Sequence, residues 1–179
     1  MVNKIELNNS TESNNYIELT ACLNQFVQGH LPLGRAMGLE VNHYDGDSLS
    51  LSAPLELNNN DKGTAFGGSL YCAAVMAGWG YFYLRCLQYK LNEGAPNIVI
   101  SKSEIEYLAP VDASTIIATC SDNDPAIWDG FLTRYQERGK AKVELTSVIN
   151  ANINGVEQAA VKFTGTFALI GFAHPAPLA

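Results

Sequence analysis

The sequence predicts an α+β domain in which an antiparallel sheet wraps around one long central helix. Three observations carry this expectation. From Gly63 to Leu84 there is no charged residue, and the apolar side chains of that run, among them Leu70, Ala73, Val75, Met76, Trp79 and Phe82, fall on every side of a helix. A helix apolar all round must be covered by protein or by lipid. Segments on both sides of it alternate apolar and polar residues with the period of strands. Those segments are punctuated by two-residue turn signals, Asp45-Gly46 and Asn154-Gly155. Curling an antiparallel sheet around the helix is the simplest way to bury it. At 179 residues the chain is expected to be one domain with a sizeable core.

The elements follow in order. Residues 1–15 hold five asparagines and little to bury, so they read as a flexible tail. Tyr16 to Gln28 places Ile17, Leu19, Leu23, Phe26 and Val27 at helical spacing, and Leu31-Pro32-Leu33-Gly34 breaks that helix. Leu39, Val41 and His43 alternate with Glu40, Asn42 and Tyr44 in a first strand. Leu49, Leu51, Ala53 and Leu55 form the apolar face of a second. After a polar loop, Asn58 to Thr64, the long helix runs to about Leu91. Ile98 to Leu108 is a strand with Ser101, Ser103, Ile105 and Tyr107 on the inward face, and Ser114 to Ser121 is another. The insert Asp122 to Lys140 carries Ile127, Phe131 and Tyr135 four apart, a short helix packing onto the body. Val143, Leu145, Ile149, Ala151 and Ile153 share one strand face, and Val161, Phe163, Phe167 and Leu169 the next. The domain is expected over 16–170, with a C-terminal tail at 171–179.

Composition excludes several classes. A net charge of −7 and a pI near 4.8 argue against a general nucleic-acid binder, which needs a basic face. The long apolar run opens on glycines and holds Ser69, three tyrosines and two further glycines, and strands surround it. It is read as a wrapped helix, with no membrane role. Cys22, Cys72, Cys86 and Cys120 form no C-x-x-C pair and sit in apolar segments, as small buried hydrophobes of a reducing compartment do. His30, His43 and His174 lie too far apart in sequence for metal-ligand spacing. No metal and no cofactor are expected, and the polar N-terminus points to a cytoplasmic protein.

The candidate site is the stretch Asn60-Asp61-Lys62-Gly63-Thr64-Ala65-Phe66-Gly67-Gly68-Ser69. Glycines at a helix start let the backbone N–H groups approach a ligand closely, where the helix dipole favours negative charge. Asn60 reads either as a turn residue or as a neutral amide donor. Asp61 is either a dipole partner or a general base, and Ser69 either a cap or a substrate contact. Arg134, Arg138, Lys140 and Lys142 hold four of the chain's eleven cations. They are a solvated helix end or a docking patch for an acidic partner.

The element order, with Asn60-x-x-Gly63-x-x-Phe66-Gly67-Gly68 leading into the helix, resembles the hot-dog fold of acyl-CoA and acyl-ACP thioesterases and dehydratases. The resemblance runs from about Tyr16 to Ile170. Most hot-dog thioesterases with this loop carry a histidine where Phe66 stands and a carboxylate where Val75 stands, and both are missing here. The wording of the loop is similar to one branch, the stand-alone relatives of the C-terminal domain of acetyltransferase–hot-dog proteins. That resemblance implies a malonyl-ACP decarboxylase forming acetyl-ACP for the initiation of fatty-acid synthesis, with Asn60 as the key loop asparagine beside Asn58 and Asn59. It also implies a homodimer or dimer of dimers, with acyl carrier protein or a CoA thioester as partner; the basic stretch Arg134, Arg138, Lys140 and Lys142 is read separately, from its charge, as the place where the carrier docks. Decarboxylation sends electrons into the thioester carbonyl and needs no base; it needs donors where charge develops and a dry pocket. Asn60 and the amides of Gly67 and Gly68 would be those donors, with Phe66, Ser69, Ser101 and Ser103 lining the pocket. The alternatives are a thioesterase with Asp61 as base and a non-catalytic module that binds acyl thioesters.

Overall fold

The computed structural model describes residues 4–91, 96–121 and 124–171, and side chains from residue 15 onward apart from that of residue 125. Its elements are α1 (Lys4–His30), α2 (Pro32–Ala36), β1 (Glu40–Tyr44), β2 (Ser48–Pro54), a 3-10 turn (Leu55–Leu57), α3 (Gly67–Gln88), β3 (Ile98–Tyr107), β4 (Thr115–Ser121), α4 (Pro125–Arg138), β5 (Lys140–Ile153) and β6 (Val156–Ile170). The six strands form one antiparallel sheet in the order β1-β2-β4-β5-β6-β3. Its concave face holds α3. The sequence pattern predicts this sheet around a helix, and it is the hot-dog arrangement that the resemblance implies.

Small residues let the sheet close around α3. Ala73, Ala74, Ala77, Gly78 and Gly80 are buried along it. A Cβ on Gly78 would stand 2.9 Å from the Phe167 ring, and one on Gly80 would stand 2.9 Å from Leu49 and 3.0 Å from Leu23. The facing strand residues Leu49, Leu51, Val143, Leu145, Ile149, Phe163 and Phe167 are buried, as their alternation predicts. Asn154 and Gly155 both take positive φ, 57° and 84°, in the tight turn that joins β5 to β6. The rest of the core is aromatic. Phe26 of α1 stacks on Trp79 at 5.5 Å and lies 5.3 Å from Tyr83, which fastens α1 to α3.

Four local expectations are corrected. The first helix begins at Lys4, so most of the expected 1–15 tail is helical. Once the packed half, with Leu23 and Val27 fully buried, supplies the nucleus, each further residue adds a backbone bond. In β1 a bulge at Asn42 shifts the register between Val41 and His43, so Tyr44 is buried while His43 faces solvent. On α4 the buried residues are Trp128 and Phe131, and Ile127 is exposed. Trp128 turns inward onto α3, with the Arg85 guanidinium 4.8 Å from its ring and Phe82 and Tyr81 beside it. Cys22 is exposed, whereas Cys86 and Cys120 are buried as expected. The segment 172–179 lies outside the described residues, as does residue 122 at the start of the expected insert. No helix among the described residues is long and apolar enough to cross a membrane.

Candidate active site

The loop before α3 is held from both ends. Asn58 is buried and its Nδ2 donates to the carbonyls of Met37 and Pro54, both at 2.8 Å. Its backbone oxygen accepts from Phe66 N at 2.7 Å, and Ala65 N donates to Val111 O at 2.7 Å. Asn58 is therefore the anchor of the loop. Asn59 is exposed and bridges Ala65.

Asn60 folds the loop tip. Its Oδ1 accepts from the backbone N–H groups of Lys62 (2.9 Å) and Thr64 (3.3 Å), and its Nδ2 donates to Thr64 Oγ1 (3.0 Å). This is an Asx turn, in which the side chain replaces a backbone turn partner. Both ends of the Asn60 amide are thus engaged within its own loop. Gly63 completes the tip at φ 77°. The turn carries Asp61 at its crest, exposed to solvent.

The loop delivers the chain to the start of α3. Phe66 occupies the N-cap position and has no side-chain oxygen with which to cap. The N–H groups of Gly67, Gly68 and Ser69 precede the first intrahelical bond, Leu70 N to Phe66 O at 3.0 Å, and so point outward as the positive end of a 22-residue helix. Ser69 is the third helical residue, which excludes the N-cap role considered for it. The Phe66 ring packs against the face of Gly68 where a Cβ would stand, and the ring remains 56% exposed.

Strand β3 supplies the opposite wall. Tyr107 Oη donates to Gly67 O at 2.9 Å, and its ring lies 3.6 Å from where a Gly67 Cβ would be. Tyr71 Oη and Ser103 Oγ are 2.8 Å apart. Ser103 therefore sits beside the first turns of α3. Ser101 does not: the register of β3 shifts between Ile100 and Lys102, leaving Ser101 as an extra residue whose hydroxyl donates to Thr166 O at 3.1 Å. It joins a separate groove with Arg134, Arg138, Lys140 and Lys142. Tyr107 was not singled out from sequence, although its alternation with Ser103 and Ile105 placed it on the same face.

The chemistry available is donation to negative oxygen. The charged residue of α3 is Arg85, close to its far end, and the first turn holds no acid. Burial raises the Cys72 thiol above its usual range and pushes Cys86 up to about 12, so neither is an activated nucleophile. Among the described residues no cluster of His, Cys, Asp or Glu could hold a metal ion.

Comparison with known proteins agrees with the fold. Residues 20–171 match the family described as "Putative thioesterase (yiiD_Cterm)". The chain belongs to this family. A protein of unknown function from Chlorobaculum tepidum is 40% identical, with a TM-score of 0.79 over 86% of this chain and 95% of that one. A structure from Shewanella oneidensis, described as a thioesterase of the same provisional kind, is 27% identical with a TM-score of 0.69, covering 86% and 98% of the two chains. A thioesterase from Haemophilus influenzae shares the fold at 16% identity and a TM-score of 0.64, covering 88% and 94%.

Proposed function

We propose that the chain is an enzyme acting on acyl thioesters of CoA or acyl carrier protein, and that it hydrolyses them at the N-terminus of α3. The observation that carries this reading is the set of outward N–H groups at Gly67, Gly68 and Ser69, left without a capping side chain at the end of a buried helix. When water adds to a thioester carbonyl, the oxygen becomes negative. Donors already fixed toward that position stabilise it by roughly 2.7–4 kcal/mol each. Asp61, at the crest of the loop, takes the proton from the attacking water, and the thiolate then leaves. Asn60 is a positioning residue: its Asx turn fixes the backbone that presents Asp61.

Decarboxylation of a malonyl thioester is the second reading. One observation favours it: α3 offers no acid or base to activate water, and an enolate needs only the donors. Against it, the Asn60 amide that would orient the substrate is taken up by Thr64 and Lys62. Asp61→Asn separates the two. Hydrolysis requires the carboxylate, so turnover falls by about 10²-fold or more; decarboxylation tolerates the change.

The site is completed by a second copy in this reading. Among the described residues β3 is an edge of the sheet; Val99, Ile100 and Tyr107 on it and Leu108 just after it are each 40–52% accessible. An exposed apolar edge strand is a template for pairing. Light scattering is expected to give at least a dimer, and a monomer that retains full turnover contradicts a shared site.

A further inference from the structure

The groove that takes Ser101 is lined by Arg134 and Arg138 from α4, by Lys140 and Lys142 from β5, and by Val99, Ala168 and Ile170. The register explains the convergence. Lys140 pairs with Ile170, Lys142 with Ala168, and Ala168 with Val99 on its other side, so these side chains share the outer face of the sheet. Arg134 and Arg138 lie one turn apart near the end of α4, above them. Four of the eleven Lys and Arg of a chain with net charge −7 thus surround one recess. Among the described residues none of the four has a carboxylate within ion-pair distance. Like charges one helical turn apart repel. A polyanion in the recess removes that cost.

We infer that this groove binds the phosphate-bearing nucleotide end of coenzyme A. The recess measures about 620 Å³, within the range that encloses a small ligand. The apolar floor suits an adenine ring. The cations suit a diphosphate and a ribose phosphate, the latter bringing about −1.5 to −2 charges by itself. Ser101, in the groove, and Tyr107, at the α3 N-terminus, are six residues apart on the edge strand β3, about 20 Å along an extended chain. That is a span a flexible pantetheine arm can bridge. The identity of the nucleotide rests on the acyl-thioester reading above; the existence of a polyanion site does not.

The test is titration calorimetry on the full chain with coenzyme A and, separately, adenosine 3′,5′-bisphosphate. Wild type is expected to bind both, more weakly as salt rises. The double variant Arg134→Gln/Arg138→Gln is expected to weaken both by about tenfold or more. All four side chains are exposed, so folding is expected to survive; if that variant does not fold, Lys140→Gln/Lys142→Gln on the strand reads the same groove. No bisphosphate binding, or unchanged binding in the variants, overturns the inference. So does a variant that loses affinity for an acyl carrier protein and keeps it for the bisphosphate, which makes the groove a protein-docking face. A chain that binds the bisphosphate here yet turns over no thioester overturns the proposed reaction alone.

Discussion

Alanine at Gly68 and alanine at Gly67 are expected to behave differently, although the two glycines are adjacent in the same first turn. A Cβ on Gly67 meets the Tyr107 ring at 3.6–3.7 Å, an ordinary contact. A Cβ on Gly68 overlaps Cε1 of Phe66 and stands 3.0 Å from Cδ1, so the ring must leave. Because Phe66 is 56% exposed, displacing it loses little buried area. Alanine also gains up to about 1 kcal/mol of helix propensity over glycine. Gly68→Ala is therefore expected to fold with unchanged or slightly higher thermal stability. Its activity is another matter. The ring packs on the Gly68 face of the helix start, beside the outward N–H groups, and a well-placed donor there is worth about 10²–10³ in rate. Loss of the ring is expected to lower kcat for thioester turnover by about tenfold to a hundredfold, while Gly67→Ala stays within a few-fold. Thermal unfolding and steady-state turnover on the same preparations make the comparison. Equal activities for the two variants, or a Gly68→Ala loss that tracks a loss of stability, would refute the reasoning.

Trp128 is expected to be the residue that secures α4. Trp128→Ala removes ring contacts with Phe82, Phe131, Tyr81 and Arg85 and should cost about 3–5 kcal/mol in chemical denaturation. Trp128→Phe should cost clearly less, since it also removes a buried indole N–H that has no hydrogen-bond partner among the described residues. Asp45 gives the pH dependence of the β1–β2 turn. Partial burial raises its pKa, but bonds from Ser48 N, Asp47 N and the His43 and Ser48 side chains outweigh this and leave it below the ordinary value. Its contribution is therefore present above the unfolded pKa of about 3.9 and is lost as pH falls through the lower folded value. The stability difference between wild type and Asp45→Asn should be constant near neutrality and vanish in strong acid. It should stay under about 1 kcal/mol, because the side chain is 46% exposed.

Much of this architecture was legible before the coordinates. The uncharged run required a wrapped helix, and the alternation of Leu49, Leu51 and Ala53, or of Val143, Leu145 and Ile149, assigned the faces that wrap it. The bulges at Asn42 and Ser101 were not legible, because a bulge belongs to a pair of strands and leaves no mark in either alone. They misassigned Tyr44 and parted Ser101 from Ser103. On α4, a spacing of four fits two adjacent stripes, and the one through Trp128 is the one that meets Tyr81, Phe82 and the Arg85 guanidinium of α3. At the site, the glycines and the asparagine run were visible as a loop entering a helix. The sequence could not show which amide Thr64 and Lys62 would occupy, and so could not separate Asn58 as anchor from Asn60 as turn.

The central claim is that the start of α3 stabilises the oxyanion of thioester hydrolysis. The most direct measurement is to incubate the full chain with acetyl- and malonyl-thioesters of CoA and of acyl carrier protein, following free thiol, carbon dioxide and acetyl thioester together. Free thiol in step with free carboxylic acid is the predicted result. Carbon dioxide and acetyl thioester from the malonyl substrates, with no thiol released, would contradict it.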